Sequence, residues 1–154
     1  MKNYCFNTNI YIYQKEAKWK ASEINTIRKV LKVTNVKRNG LTIRLSNDKD
    51  VKAFNLKWKG VNKSTNILSF LNSDKVYYEN NMIYLGDIII SYDTLLKEVR
   101  NRKIDFQDHL SHILIHGILH LQGHTHDNEE DTRLMQNEEK RLLKNLNIKN
   151  PYKI

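Results

Sequence analysis

His116-Gly117-Ile118-Leu119-His120-Leu121-Gln122-Gly123-His124-Thr125-His126 is the stretch on which both the fold and the chemistry of this 154-residue chain turn. His116 and His120 are four residues apart, so a helix projects both imidazoles from one face. Gly123 follows where a helix can stop in the left-handed conformation. The chain can then reverse and bring His126 back beside the first two. Three histidines without a fourth protein ligand describe a catalytic rather than a structural zinc site, because the open position is left for water. Zinc is the default ion for three imidazoles, and nickel or another borderline metal suits the same donors. All six histidines of the chain fall between His109 and His126, a concentration that argues against chance. His109 and His112, taken singly, read as satisfied core residues.

Outward from this run, Phe106 to Gln122 is apolar nearly all round, which predicts a helix buried in the core with its ligands on rigid backbone. Asn128 to Asn147 reads as an amphipathic helix, acidic in its first turn and basic later, as the helix dipole prefers. Upstream, Asp93 is placed to cap a helix ending near Lys103. Ile83 to Ser91 is the strongest strand, and its Ile88-Ile89-Ile90 run suggests burial on both faces. Thr65 to Leu71, Leu41 to Leu45 and Asn9 to Tyr13 read as further strands. Asn72 to Asn81 is polar and turn-rich, a loop or hairpin. Asn47-Asp48 caps a short helix that delivers Trp58 and Lys59, and a first helix fits roughly residues 16 to 32, phased by Trp19, Ile24, Ile27 and Leu31. Without strict βαβ alternation, repeats or a linker, the chain predicts one α+β domain over residues 1–154, with a small sheet backed by helices and the metal-binding helix in its core.

Composition narrows the partners. A net charge of +9 favours an anionic partner, nucleic acid ahead of membrane. A lysine-rich solvated surface is the plainer explanation of the same charge. Cys5 is the only cysteine, so no internal disulfide forms and the metal ligands are imidazoles, not thiols. The first residues carry no apolar core of signal-peptide length, and no window reaches the apolar length of a membrane span. A cytoplasmic protein is the expectation.

The histidine spacing also matches the metzincin pattern H-E-x-x-H-x-x-G-x-x-H, except that Gly117 stands where those proteases carry their general base. Glycine accepts no proton, so the protease mechanism lacks its base while the metal geometry survives. A carboxylate from elsewhere, Asp127 or Asp87, would have to replace it.

The histidine run, with His112 one turn upstream, resembles the YbeY family of bacterial endoribonucleases. Asn55-Leu56-Lys57-Trp58-Lys59-Gly60 followed by Ser64-Thr65-Asn66-Ile67-Leu68-Ser69-Phe70 is similar to that family's L-N-x-x-[YW]-R-x…T-[DN]-V-L-S-F block, and Leu85-Gly86-Asp87-Ile88 to its L-G-D-I strand. Two positions depart from the pattern. His124-Thr125 stands where the family commonly has Tyr-Asp, and Lys59 replaces an arginine thought to act at the active site. Lysine keeps the charge and loses the planar fork that grips phosphate with two bonds.

The resemblance implies a mostly four-stranded mixed sheet and a zinc-dependent endoribonuclease specific for single-stranded RNA. It further implies roles in maturing the 3′ end of 16S ribosomal RNA and in 70S ribosome quality control. His116, His120 and His126 are the expected metal ligands. Lys59 would stabilise charge developing on the phosphorane and His124 would shuttle a proton. Thr65, Asn66 and Ser69 would contact the RNA backbone, with Tyr77, Tyr78 or Trp58 stacking on bases. Two alternatives are a zincin-like metallopeptidase and a non-catalytic module that docks on ribosomal RNA or the ribosome and holds a structural metal.

Overall fold

A computed structural model describes residues 2–7, 9–36, 39–72, 77–78 and 82–152. Along the chain run β1 (Lys2–Asn7), β2 (Ile10–Gln14), α1 (Ala21–Val33), β3 (Gly40–Ser46), α2 (Asp48–Lys59), β4 (Ile67–Leu71), β5 (Tyr77–Tyr78), β6 (Met82–Ser91), α3 (Tyr92–Arg102), α4 (Phe106–Leu121) and α5 (Glu129–Asn145). The strands form one mixed sheet in the order β1-β2-β3-β6-β4, with short β5 paired to the start of β6. β3 lies parallel to both β2 and β6, whereas β1 and β4 close the two edges antiparallel. The fold is α+β, as the element order predicts. The sheet is one strand wider than the resemblance implies, because Lys2–Asn7 adds an edge strand whose burial is slight and whose sequence lacks a clean apolar alternation.

Alternation along the strands assigns the two faces. Ile10, Ile12, Leu41, Ile43, Leu45, Ile88 and Ile90 enter the main core with α1, α4 and α5. On the other face Leu68 and Ile89 meet Val51 of α2 in a smaller cluster flanked by Phe54 and Phe70. The isoleucine run at 88–90 is buried throughout because helices cover both faces of its strand.

Two boundaries differ from the sequence reading. α1 begins at Ala21, since Trp19 is not helical: it is buried, and its Nε1 donates to the Ser46 carbonyl at 3.0 Å. α3 is capped by Ser91, whose Oγ accepts from Thr94 N–H, while Asp93 accepts from Lys18 and from the Asp48 N–H. Of the stretch from Asn72 to Asn81, β5 pairs antiparallel with Met82 and Ile83; residues 73–76 and 79–81, and the side chains of Tyr77 and Tyr78, lie outside the described residues.

α4 is the centre of the molecule. Leu110, Ile113, Leu114, Ile115, Ile118, Leu119 and Leu121 are all buried, and each such side chain contributes roughly 1.5–3 kcal/mol. His112, His116 and His120 are the half-exposed positions along the same length, one stripe at i, i+4 and i+8. A helix buried on every other side can present polar groups only along that stripe.

Asp48 ties α2 to its surroundings. Its Oδ1 accepts from Ser91 Oγ at 2.5 Å, Thr94 Oγ1 at 2.6 Å and Ser64 Oγ at 3.0 Å. Burial opposes ionisation of this carboxyl, but the Ser91, Thr94 and Ser64 hydrogen bonds outweigh it and hold the group below its ordinary range. A depressed folded value means stability that is complete above the unfolded value and lost as pH falls through the folded one. Asp48→Asn is expected to lower the unfolding free energy at pH 7 by about 1–3 kcal/mol. The difference from wild type should shrink below about pH 4. Urea titrations across pH 3–7 check both.

Candidate active site

The helical part of the site follows from its spacing. α4 places His116 and His120 on one face, with ring centroids 4.5 Å apart and the two Nε2 atoms separated by 3.0 Å. After Leu121 the backbone turns at Gly123, whose φ of +101° is a conformation that glycine takes without strain. The turn is pinned by His124 N–H donating to the Leu119 carbonyl at 2.9 Å. It returns His126 to 4.8 Å from His120 and 5.7 Å from His116, ring to ring. One nitrogen from each of the three lies within 4.8 Å of the others.

The partners of the remaining nitrogens show that this donor set fits a metal ion. His116 Nδ1–H donates to Glu139 Oε1 at 2.5 Å, and His120 Nδ1–H donates to the His124 carbonyl at 3.0 Å. Each bond fixes the tautomer with a lone pair on Nε2, the arrangement that outer partners impose on metal-binding histidines. Burial and the neighbouring His116 hold the His120 imidazole below its ordinary value, in the neutral form that coordinates metal. The 3.0 Å Nε2 separation is close to the roughly 3.3 Å edge of a tetrahedron with bonds of about 2.0 Å. His116, His120 and His126 are therefore the residues that would hold a divalent ion.

Glu139 is the residue that reading the motif alone does not find. It is fully buried, on α5, and besides His116 it is bonded to the Tyr152 hydroxyl and faces His112 Nε2 at 3.4 Å. Burial disfavours its charge, yet hydrogen bonds from His112, His116 and Tyr152 bring the carboxyl down to about 2. The same carboxylate, after burial, pushes the Tyr152 phenol up. A signal for Glu139 exists in the sequence: it sits in the apolar stripe of α5 between Met135 and Leu142-Leu143, where an unpartnered carboxylate is costly. Tyr152 has no comparable signal, because the turn that returns it to His112, with rings 5.4 Å apart, is tertiary.

A cavity of about 590 Å³ surrounds the histidines, and Lys59, Asn66, Ser69, His124 and Tyr152 help to line it. Lys59 is the last residue of α2, its Nζ 5.6 Å from the centre of the Phe70 ring. Ser69 Oγ donates to the Gly117 carbonyl at 3.3 Å. Thr65 does not line this cavity. Trp58 is 61% exposed with Lys57 Nζ 5.1 Å from its ring, and it lines a different cavity with Tyr13, Arg44, Phe54 and Asp87. That cavity lies on the α2 face of the sheet, since Asp87 alternates with Ile88. Asp87, whose Oδ1 accepts from the Tyr84 hydroxyl at 2.6 Å, is thus on the wrong side of the sheet to act on a ligand at the histidines. Asp127 does not line the histidine cavity itself but a shallow neighbouring depression that it shares with His126, Asn128 and Glu129.

Gly117 is explained by packing. A Cβ there would stand 2.6 Å from Ile67 Cδ1 and 3.0 Å from Ser69 Oγ, so position 117 is packed against β4 with no room for a side chain. A glutamate in that place would be driven into the sheet.

The α+β scaffold thus carries a helix-and-turn histidine triad compatible with a metal ion, in a cavity that Lys59 helps to line. The family pattern described as Endoribonuclease YbeY matches residues 7–147. The chain is 39% identical over 129 residues to the endoribonuclease YbeY of Bartonella henselae, spanning 84% of this chain and 81% of that one. It is 38% identical over 114 residues to that of Rhodopseudomonas palustris, spanning 73% and 66%. The solution structure of TM1509 from Thermotoga maritima superposes with a TM-score of 0.58, covering 93% of this chain and 99% of that one at 20% identity, a likeness of fold. The chain belongs to the endoribonuclease YbeY family.

If Glu139 orients the metal ligand His116, Glu139→Gln should keep the fold by circular dichroism and weaken zinc binding on the order of 10- to 100-fold. A competition titration with a chromophoric chelator reads the difference. Unchanged affinity would leave Glu139 a buried structural carboxylate.

Proposed function

We propose that this chain is a metal-dependent endoribonuclease that cuts single-stranded RNA by hydrolysis. The observation that carries the reading is the convergence of three imidazoles, two of them with tautomers set by outer partners, in a cavity that Lys59 shares. A divalent metal on His116, His120 and His126, zinc by default and nickel or another borderline ion as alternatives, would supply Lewis acidity and a water of lowered pKa.

The chain's own residues do the rest. Lys59, its ammonium resting over Phe70, faces a phosphate in the cavity and stabilises the negative charge that grows on its oxygens. Lysine does this as a point charge, so it binds phosphate with less orientation than an arginine fork. His124 contributes its carbonyl to His120 and its ring to the cavity wall, where an imidazole can pass a proton to the leaving oxygen. Ser69 and Asn66 line the same cavity, where the sugar-phosphate backbone would run, and Thr65 precedes Asn66 in the chain. The net charge of +9 supports an RNA partner. Family membership supports work on 16S ribosomal RNA 3′ ends and in ribosome quality control, in the cytoplasm. No helix among the described residues is long and apolar enough to cross a membrane.

The peptidase alternative is disfavoured by the packing of Gly117 against Ile67 and Ser69 and by the placement of Asp87 on the α2 face of the sheet. The alternative of a ribosome-docking module with a structural metal is separated by experiment. Metal-loaded protein should cut a labelled single-stranded RNA and leave a peptide intact. His120→Ala and chelation should each abolish cutting while the protein stays folded by circular dichroism. RNA bound but never cut by the loaded protein would favour the docking module instead.

The role of Lys59 is checked on the same substrate. Lys59→Ala should lower cleavage on the order of 10²-fold, the loss seen when one charge-stabilising donor is removed. Lys59→Arg should retain activity. Equal loss in both variants would show that position 59 does not act through its charge.

A further inference from the structure

Asn66 stands just before β4 and lines the same cavity as the three histidines. Its backbone is fixed, since its carbonyl accepts from the Ser91 N–H at 3.0 Å. Its side chain is fixed as well. Nδ2 donates to both oxygens of the Glu98 carboxylate, at 3.2 and 3.3 Å. A carboxylate only accepts, so the amide cannot be turned over. Nδ2 faces Glu98, and Oδ1 is left as the acceptor that the residue presents, without a partner among the described residues.

Glu98 is held in turn by His109, whose Nε2 lies 2.9 Å from Oε1. His109 is 4% exposed, and a ring so buried cannot swing to release the carboxylate. Asn66, Glu98 and His109 thus form a chain running from the core of α4, across α3, to the cavity wall.

A fixed acceptor suits few groups in this cavity. Lys59 and the histidines attract phosphate oxygens, whereas Asn66 Oδ1 repels them and requires a donor. The bases of a strand present donors that change with sequence. The one donor that every nucleotide of an RNA backbone carries is the ribose 2′-hydroxyl, and DNA lacks it. We propose that Asn66, held by Glu98 and His109, accepts a hydrogen bond from a ribose 2′-hydroxyl and is the residue by which this site tells RNA from DNA. The inference rests on the reading of the cavity as an RNA site.

The test uses an oligoribonucleotide that the metal-loaded wild type cuts, with copies carrying a single 2′-deoxy substitution at each nucleotide around the cut. Wild type should lose roughly five- to tenfold in kcat/KM at one of these positions, the worth of one hydrogen bond. Asn66→Ala should cut the all-ribose strand less well by a similar factor and lose that position's deoxy penalty. Glu98→Ala, which frees the amide to turn, should erase most of the same penalty. Glu98→Gln, whose carbonyl still accepts from Nδ2, should preserve it. A merely structural role would lower cleavage of all strands equally, and an unchanged deoxy penalty in Asn66→Ala would overturn the proposal. So would a wild type with no penalty at any position.

If the wild type cuts no RNA, the nuclease reading has failed by itself. The ratio is then read from equilibrium binding of labelled RNA and DNA of one sequence. A preference for RNA that disappears in Asn66→Ala supports the proposal, and an unchanged ratio overturns it.

Discussion

Everything in this molecule depends on the seating of α4 against the sheet. Gly117 lets the helix approach until Ile67 and Ser69 of β4 occupy the space that a Cβ would need, and Ile88 of β6 closes the contact from beneath. Once the helix is that deep, its aliphatic side chains meet sheet, α1 and α5 on nearly every side. The stripe His112, His116 and His120 is what remains for the open edge. The histidine stripe is therefore a consequence of burial: a helix with one polar stripe and no other exit must display it there. The absence of a general-base glutamate at position 117 has the same cause, because that position belongs to the packed face.

The rest of the site is assembled by elements that arrive from elsewhere. α5 brings Glu139 to His116, the C-terminal turn brings Tyr152 to Glu139 and His112, and the end of α2 brings Lys59 to the cavity from the far face of the sheet. A buried carboxylate is costly unless fully paired, and here a phenol and an imidazole N–H complete its pairing. The same logic holds at Asp48, where three hydroxyls from three segments satisfy one carboxylate. Both clusters join elements distant in the chain.

Much of this was legible beforehand, for identifiable reasons. The 3.6-residue period of α4 and α5 and the period of two in β3 and β6 are strong enough to place those elements within a residue or two. The histidine spacing predicts the triad because a helix and one glycine turn fix all three positions locally. Reading failed where a residue's helical phase misled, as with Trp19, which anchors the loop before α1 instead of belonging to the helix. It failed also for β1, whose edge position asks little of its sequence, and for Asp87, whose adjacency to an apolar run says nothing about which face the site occupies.

The sequence by itself determined the class of fold, the metal-ready triad and the missing base, since each is a matter of local period and spacing. Only the tertiary structure decided which face of β6 meets the histidines, that Glu139 and Tyr152 stand behind them, and that Glu98 and His109 orient Asn66. Those relations join residues 11 to 40 positions apart. Their partners are chosen by burial and by the cost of leaving buried polar groups unpaired, and no local pattern encodes that choice.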